Sequence, residues 1–142
     1  MHVEELMSSA KCCIEGQSVR DAARLMRDEN IGFVPICDAQ GMPLGAVTDR
    51  DLAIRVLAEG RAADERIEQV MTHDPVSCRL GEDVKNAERL MRRSRKSRVM
   101  VCDERGRLAG VISLADIAEV ESGTTTGATL HEVKSDQPPV IH

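Results

Sequence analysis

The sequence predicts an α/β (α+β) fold made of two β-α-β-β-α repeats packed with pseudo-two-fold symmetry, and three observations carry that expectation. Gly-Ala-Val-Thr-Asp-Arg-Asp at residues 45–51 returns as Gly-Val-Ile-Ser-Leu-Ala-Asp at residues 110–116, a Gly-x-x-(Thr/Ser)-x-x-Asp pattern written twice at an interval of 65. The same interval aligns Val19 with Val84, Ala22 with Ala87, Met26 with Met91, Val34 with Val99, Cys37 with Cys102, Asp38 with Asp103 and Gly41 with Gly106. Inside each copy the apolar spacing alternates between helical and extended periods. Self-similarity at this period marks one supersecondary unit written twice. Leu6-Met7 and Val70-Met71 stand 64 apart, so one residue was gained or lost near the first strand.

A short strand around KCCI (11–14) opens the first copy. Val19, Ala22, Ala23 and Met26 recur at helical spacing behind Ser18, and Ser18-x-x-Asp21 has capping-box spacing, which predicts a helix over 18–29. FVPIC (33–37), the turn DAQG and the run PLGAV (43–47) read as two adjacent strands. DRDLAIRVLAE (49–59) reads as a second helix. GRAADERIEQ (60–69) is polar and too short for a free linker, so the halves are expected to pack together. In the second copy VSC (76–78) is the first strand, Val84, Ala87 and Met91 mark the helix, RVMVC and LAGVI flank the turn DERG, and LADIAEV (114–120) is the last helix. The repeats are thus assigned to residues 1–61 and 62–121. Residues 122–142 hold Gly, Thr and Pro with little apolar periodicity and predict a flexible C-terminal tail, or a segment whose Leu130 and Val133 dock on a partner.

The 142 residues suit one domain or two small units sharing a core. Phe33 is the one aromatic residue, so that core must be aliphatic. No apolar run approaches the ~20 residues that cross a bilayer, and MHVEELMSSA lacks a basic-then-apolar export pattern, which predicts a cytoplasmic protein with no membrane partner. A net charge of −5 argues against general nucleic-acid binding, because phosphate contacts need Lys and Arg. The basic run MRRSRKSR (91–98) reads first as a solvated helix end. Five cysteines without CxxC spacing predict neither a zinc site nor a secreted disulfide framework, and His2, His73, His131 and His142 are scattered, so no metal is expected. An enzyme needs an activated nucleophile, an acid–base pair or a metal centre. None emerges, so no catalysis is expected.

The repeated motif has a structural reading and a functional one. A Thr or Ser hydroxyl caps the following helix, and Asp three residues on sits in its first turn. The same helix N-terminus also suits phosphate, and a carboxylate accepts hydrogen bonds from the two hydroxyls of a ribose. Together they describe a nucleoside phosphate better than a bare anion.

With IGFVPICDAQGMPLGAVTDRDL in one copy and SRVMVCDERGRLAGVISLADI in the other, residues 6–120 resemble a tandem pair of CBS domains, a Bateman module, and are similar to stand-alone bacterial CBS-pair proteins of the hypoxic-response type. The resemblance implies a ribose held by the Asp of the motif, phosphate near its Thr or Ser, and a base between strands of the cleft. Thr48 and Asp51 then belong to one site, and Ser113 and Asp116 to the other. Cys13-Ile14 and Val76-Ser77 line the adenine pockets, and Arg98 meets phosphate. Copy one has Phe33 in that place, with Arg50 as an alternative source of charge, and copy two has Met100 where copy one has Pro35, so the sites are expected to differ in affinity. Lys96 and Arg95 read as solvated side chains rather than phosphate ligands.

The expected function is a non-catalytic regulatory module binding AMP, ADP, ATP or a related adenosyl compound such as S-adenosylmethionine, with no required cofactor. The alternative is a constitutive dimeric protein-interaction module. By resemblance a homodimer is expected, its output passing to an effector protein of unknown identity. Cys13 and Cys78 correspond, as do Cys37 and Cys102, so Cys13–Cys37 or Cys78–Cys102 is a candidate redox pair if the strands lie side by side. Buried thiols acting as small hydrophobes are the favoured reading.

Overall fold

Ser18 opens the first helix, as its spacing predicts. In the computed structural model, which describes residues 1–73 and 75–122, the Ser18 hydroxyl accepts from the Asp21 N–H at 3.1 Å and the Asp21 carboxylate accepts from the Ser18 N–H at 3.0 Å. Helix α1 (Val19–Glu29) buries Val19, Ala22 and Met26 and ends at Asn30 in the left-handed conformation. The predicted tail, with Leu130 and Val133, lies outside the described residues.

Before α1 come two-residue strands β1 (Ser8–Ser9) and β2 (Cys13–Ile14), and after it β3 (Phe33–Cys37) and β4 (Pro43–Thr48). The β3–β4 turn is held by Asp38, whose Oδ1 accepts from the N–H groups of Gln40 and Met42, both at 2.9 Å. A left-handed Gly41 closes it, φ 87°. Helix α2 (Asp49–Asp51) continues as a π-helical segment, Leu52–Leu57, in which the Ala58 N–H reaches back five residues to the Ala53 carbonyl at 2.9 Å. A helix was predicted here, but with ordinary α bonding.

The second copy repeats the plan with β5 (Thr72–His73), β6 (Ser77–Arg79), α3 (Val84–Ser94), β7 (Arg98–Cys102), β8 (Leu108–Ser113) and α4 (Leu114–Ser122). Two sheets result, in the orders β2-β3-β4-β5 and β1-β8-β7-β6. The strand leading into each copy has therefore crossed to the other copy's sheet. β5 pairs with β4 through Gly45 and Ala46, and β1 pairs with β8 through Gly110 and Val111.

The motif glycines permit this crossing. A Cβ on Gly45 would meet the Thr72 carbonyl and the Met71 side chain; on Gly110 it would meet the Ser8 carbonyl and Met7. The crossed segments also cap the first turns of the long helices. Val19 and Arg20 donate to the carbonyls of Glu65 and Ala63, and Val84 donates to that of Met1, all at 2.9 Å. Ile67, Val70 and Met71 sit in the core beneath α1, while Val3 sits in the core beneath α3.

Along β3 and β7 the side chains alternate. Val34 and Ile36 point into the first core, Val99 and Val101 into the second. Cys37, Met100 and Cys102 are buried but belong to neither core; with Phe33, Pro35 and Arg98 they occupy the opposite faces, where the sheets meet. The Arg98 guanidinium lies 6.0 Å from the Phe33 ring centroid, and the Leu108 N–H donates to the Gly41 carbonyl at 2.9 Å. Each sheet carries its own helices outside and faces the other sheet inside.

Candidate functional site

The repeated motif folds as a capping box in both copies. Thr48 Oγ1 accepts from the Asp51 N–H at 3.1 Å, and Asp51 Oδ2 accepts from the Thr48 N–H at 2.9 Å. Ser113 Oγ accepts from the Asp116 N–H at 3.1 Å, and Asp116 Oδ2 from the Ser113 N–H at 3.2 Å. One carboxylate oxygen of each Asp is thereby engaged in the cap, and each hydroxyl keeps its own proton to donate. Asp51 Oδ1 lies 3.6 Å from Arg55 Nη2, and Arg55 Nη1 donates to the Val70 carbonyl at 2.9 Å.

Each motif opens onto a cleft at the seam between the sheets. The first cleft, about 290 Å³, brings Thr48, Asp51 and Arg55 together with Val76, Lys96 and Arg98. The second, about 340 Å³, brings Ser113 and Asp116 together with Lys11, Asn30, Phe33 and Arg98. Both clefts combine the helix start of one copy with the opening of β3 or β7 of the other. They differ in charge: Arg55, Lys96 and Arg98 face Asp51 in the first, while Lys11 and Arg98 face Asp116 in the second.

Of the residues singled out from sequence, Thr48, Asp51, Val76 and Arg98 meet in the first cleft, and Ser113, Asp116 and Arg98 in the second. Cys13, Ile14, Ser77 and Arg50 line neither. Cys13 stands opposite Ile36 and enters the core, Ile14 is half exposed, and Ser77 meets the Cys102 thiol. The chain passes the clefts just before these positions, at Lys11 and at Pro75-Val76. Arg50 is exposed, its N–H bound to Asp49 Oδ1 at 2.8 Å. Sequence reasoning missed Arg55 and Lys11, and it read Lys96 as solvated. The i, i+4 spacing of Asp51 and Arg55 on a predicted helix was the available signal for the first.

The proposed thiol pairs face apart. Cys13 is opposite Ile36 while Cys37 is opposite Ile14, so the two point to opposite sides of one sheet; Cys78, opposite Val101, and Cys102, opposite Arg79, do the same. Instead Cys37 lies beside Cys12. Burial pushes Cys13 and Cys78 up to about 11; burial and then Cys12 push Cys37 up to about 12. All five cysteines are free. Among the described residues no three His, Cys, Asp or Glu side chains gather as a metal site, and no helix is long and apolar enough to cross a membrane.

A family model described as CBS domain matches residues 3–58 and again residues 67–123. The chain is 31% identical over 118 residues to the CBS domain-containing protein YhcV of Bacillus subtilis, covering 82% of this chain and 83% of that one. Among solved structures it resembles Hypoxic Response Protein I with two coordinated zinc ions, at TM-score 0.76 and 27% identity over 84% of this chain and 98% of that one. It also resembles the CBS domain pair of protein MJ0100 in complex with 5′-methylthioadenosine and S-adenosyl-L-methionine, at TM-score 0.76 and 26% identity over 88% and 98%.

Proposed function

The chain belongs to the CBS domain family, and from that premise we propose that it is a non-catalytic regulatory module whose clefts take an adenosine-bearing ligand, AMP, ADP or ATP ahead of S-adenosylmethionine. The observation that carries this reading is the company Asp51 keeps: a carboxylate beside a capping hydroxyl, with Arg55, Lys96 and Arg98 on the walls of the same cleft. A carboxylate suits the paired hydroxyls of a ribose, and guanidinium and ammonium groups suit phosphate. Ala46, Val76 and Met100 supply apolar walls against which a flat base can lie. The adenosyl ligands of the MJ0100 pair support the ligand class. Regulation follows if the ligand binds one arrangement of the two halves better than another.

Isothermal titration of reduced, ligand-stripped protein with AMP, ADP, ATP and S-adenosylmethionine tests the reading. Saturable binding is expected, weakened at least tenfold in the first cleft by Asp51→Ala and in the second by Asp116→Ala, with the fold retained by circular dichroism. Absence of heat and of thermal shift with all four ligands would sink it. The second reading, a constitutive dimeric interaction module, is favoured by the exposure of Leu57 (82%) and Ile54 (47%) on the segment after Asp51. It predicts a dimer by sedimentation and no response to any nucleotide.

A further inference from the structure

Resting on the nucleotide reading, we propose that the two clefts share a single guanidinium, that of Arg98, so that a phosphate-bearing ligand in one cleft weakens binding in the other. Arg98 opens β7 directly opposite Ser113, the hydroxyl that caps α4 at the second cleft. Its side chain reaches across the seam to the ring of Phe33, which opens β3 opposite Thr48 of the first cleft. Ring and guanidinium therefore sit where the clefts adjoin, and both line both clefts. The repeat alignment places Phe33 and Arg98 at corresponding positions. Two arginines there would give each cleft its own cation; this sequence supplies one cation and one aromatic ring.

The charge is also uncommitted. Among the described residues no carboxylate lies within ion-pair distance of Arg98, which is exposed and held only over the Phe33 ring. A cation–π contact at an exposed site is a weak restraint, whereas a phosphate engages the guanidinium fork through charge-assisted bonds. A bidentate edge aimed at the phosphate in one cleft is turned away from the other cleft. The cleft that captures it leaves the other with its remaining cations: Arg55 and Lys96 in the first, Lys11 alone in the second. The second cleft is the more dependent partner, and the antagonism is reciprocal because binding free energies are linked.

AMP titrations of the wild type, Asp51→Ala, Asp116→Ala and Arg98→Gln, with adenosine as the phosphate-free probe, test the sharing. The wild type is expected to bind in two steps, the second roughly tenfold weaker than the second cleft measured alone in Asp51→Ala, at the modest end of known couplings. In Arg98→Gln both clefts weaken, the second more, and become independent; adenosine shows no antagonism in any form. One equivalent in the wild type together with one in each Asp variant is the limiting case and supports the sharing. Equal, independent sites in the wild type overturn it, as does an Asp51→Ala protein that binds nothing. Antagonism that persists in Arg98→Gln assigns the effect to repulsion between the ligands and overturns it too. Those results leave the nucleotide reading standing; failure of the wild type to bind AMP overturns the sharing, and absence of binding with all four ligands removes both.

Discussion

Gly45 and Gly110 begin the repeated motif, yet neither lines a cleft. Their role is to have no side chain where a crossing strand passes, and Ala at either position drives a Cβ into backbone and a packed Met. Overpacking of this kind costs about 1–3 kcal/mol, so Gly45→Ala and Gly110→Ala are each expected to lower the melting temperature by several degrees. Gly16→Ala has open space around it but a positive φ, and separates backbone strain from crowding in the same melts. The buried thiols give a pH signature. Their ordinary value is 9.0, and burial raises Cys13 and Cys78 to about 11. Between these values the unfolded chain has lost thiol protons that the folded chain keeps, so stability is full below about pH 9 and falls as pH rises toward 11. Melts of reduced protein from pH 8 to 11 check the sign; replacing Cys78 by Ala should flatten the slope, and an unchanged slope would refute the cause.

At the scale of elements, the long helices and the inner strands were legible, and the crossing strands were not. Ser18 with Asp21, and the apolar spacing of Val19, Ala22 and Met26, announce α1 because a cap and a helical face are local features. β1 and β5 are two residues each, too short to display any period, and their partners lie far away in sequence. The π-helical segment was equally hidden, since LAIRVL carries the same spacing an α-helix would. The crossing has a measurable consequence. Val3 is fully buried in the second core and Ile67 in the first. Val3→Ala is therefore expected to reduce amide-exchange protection in β7 and β8, and Ile67→Ala in β3 and β4, the latter by about 2–5 kcal/mol. Loss confined to each residue's sequence neighbours would contradict the crossing.

For the whole molecule, the clefts arise between the copies, and this decides which of their residues could be read in advance. Thr48, Asp51, Ser113 and Asp116 repeat in sequence and so stand out. Lys11 and Lys96 reach their clefts only because the other copy's helix start is placed beside them, a juxtaposition with no local trace. The crossing also dictates an order of events during synthesis. Ser8 and Ser9 leave the ribosome about a hundred residues ahead of their partners in β8, Gly110 and Val111. At ordinary elongation rates the first strand waits roughly 5–20 s for a place to pair. Two serines offer little template to a neighbouring nascent chain in that interval. The second half of the molecule is thus sealed by residues made well before their partners, and only once nearly all of the described chain has been translated.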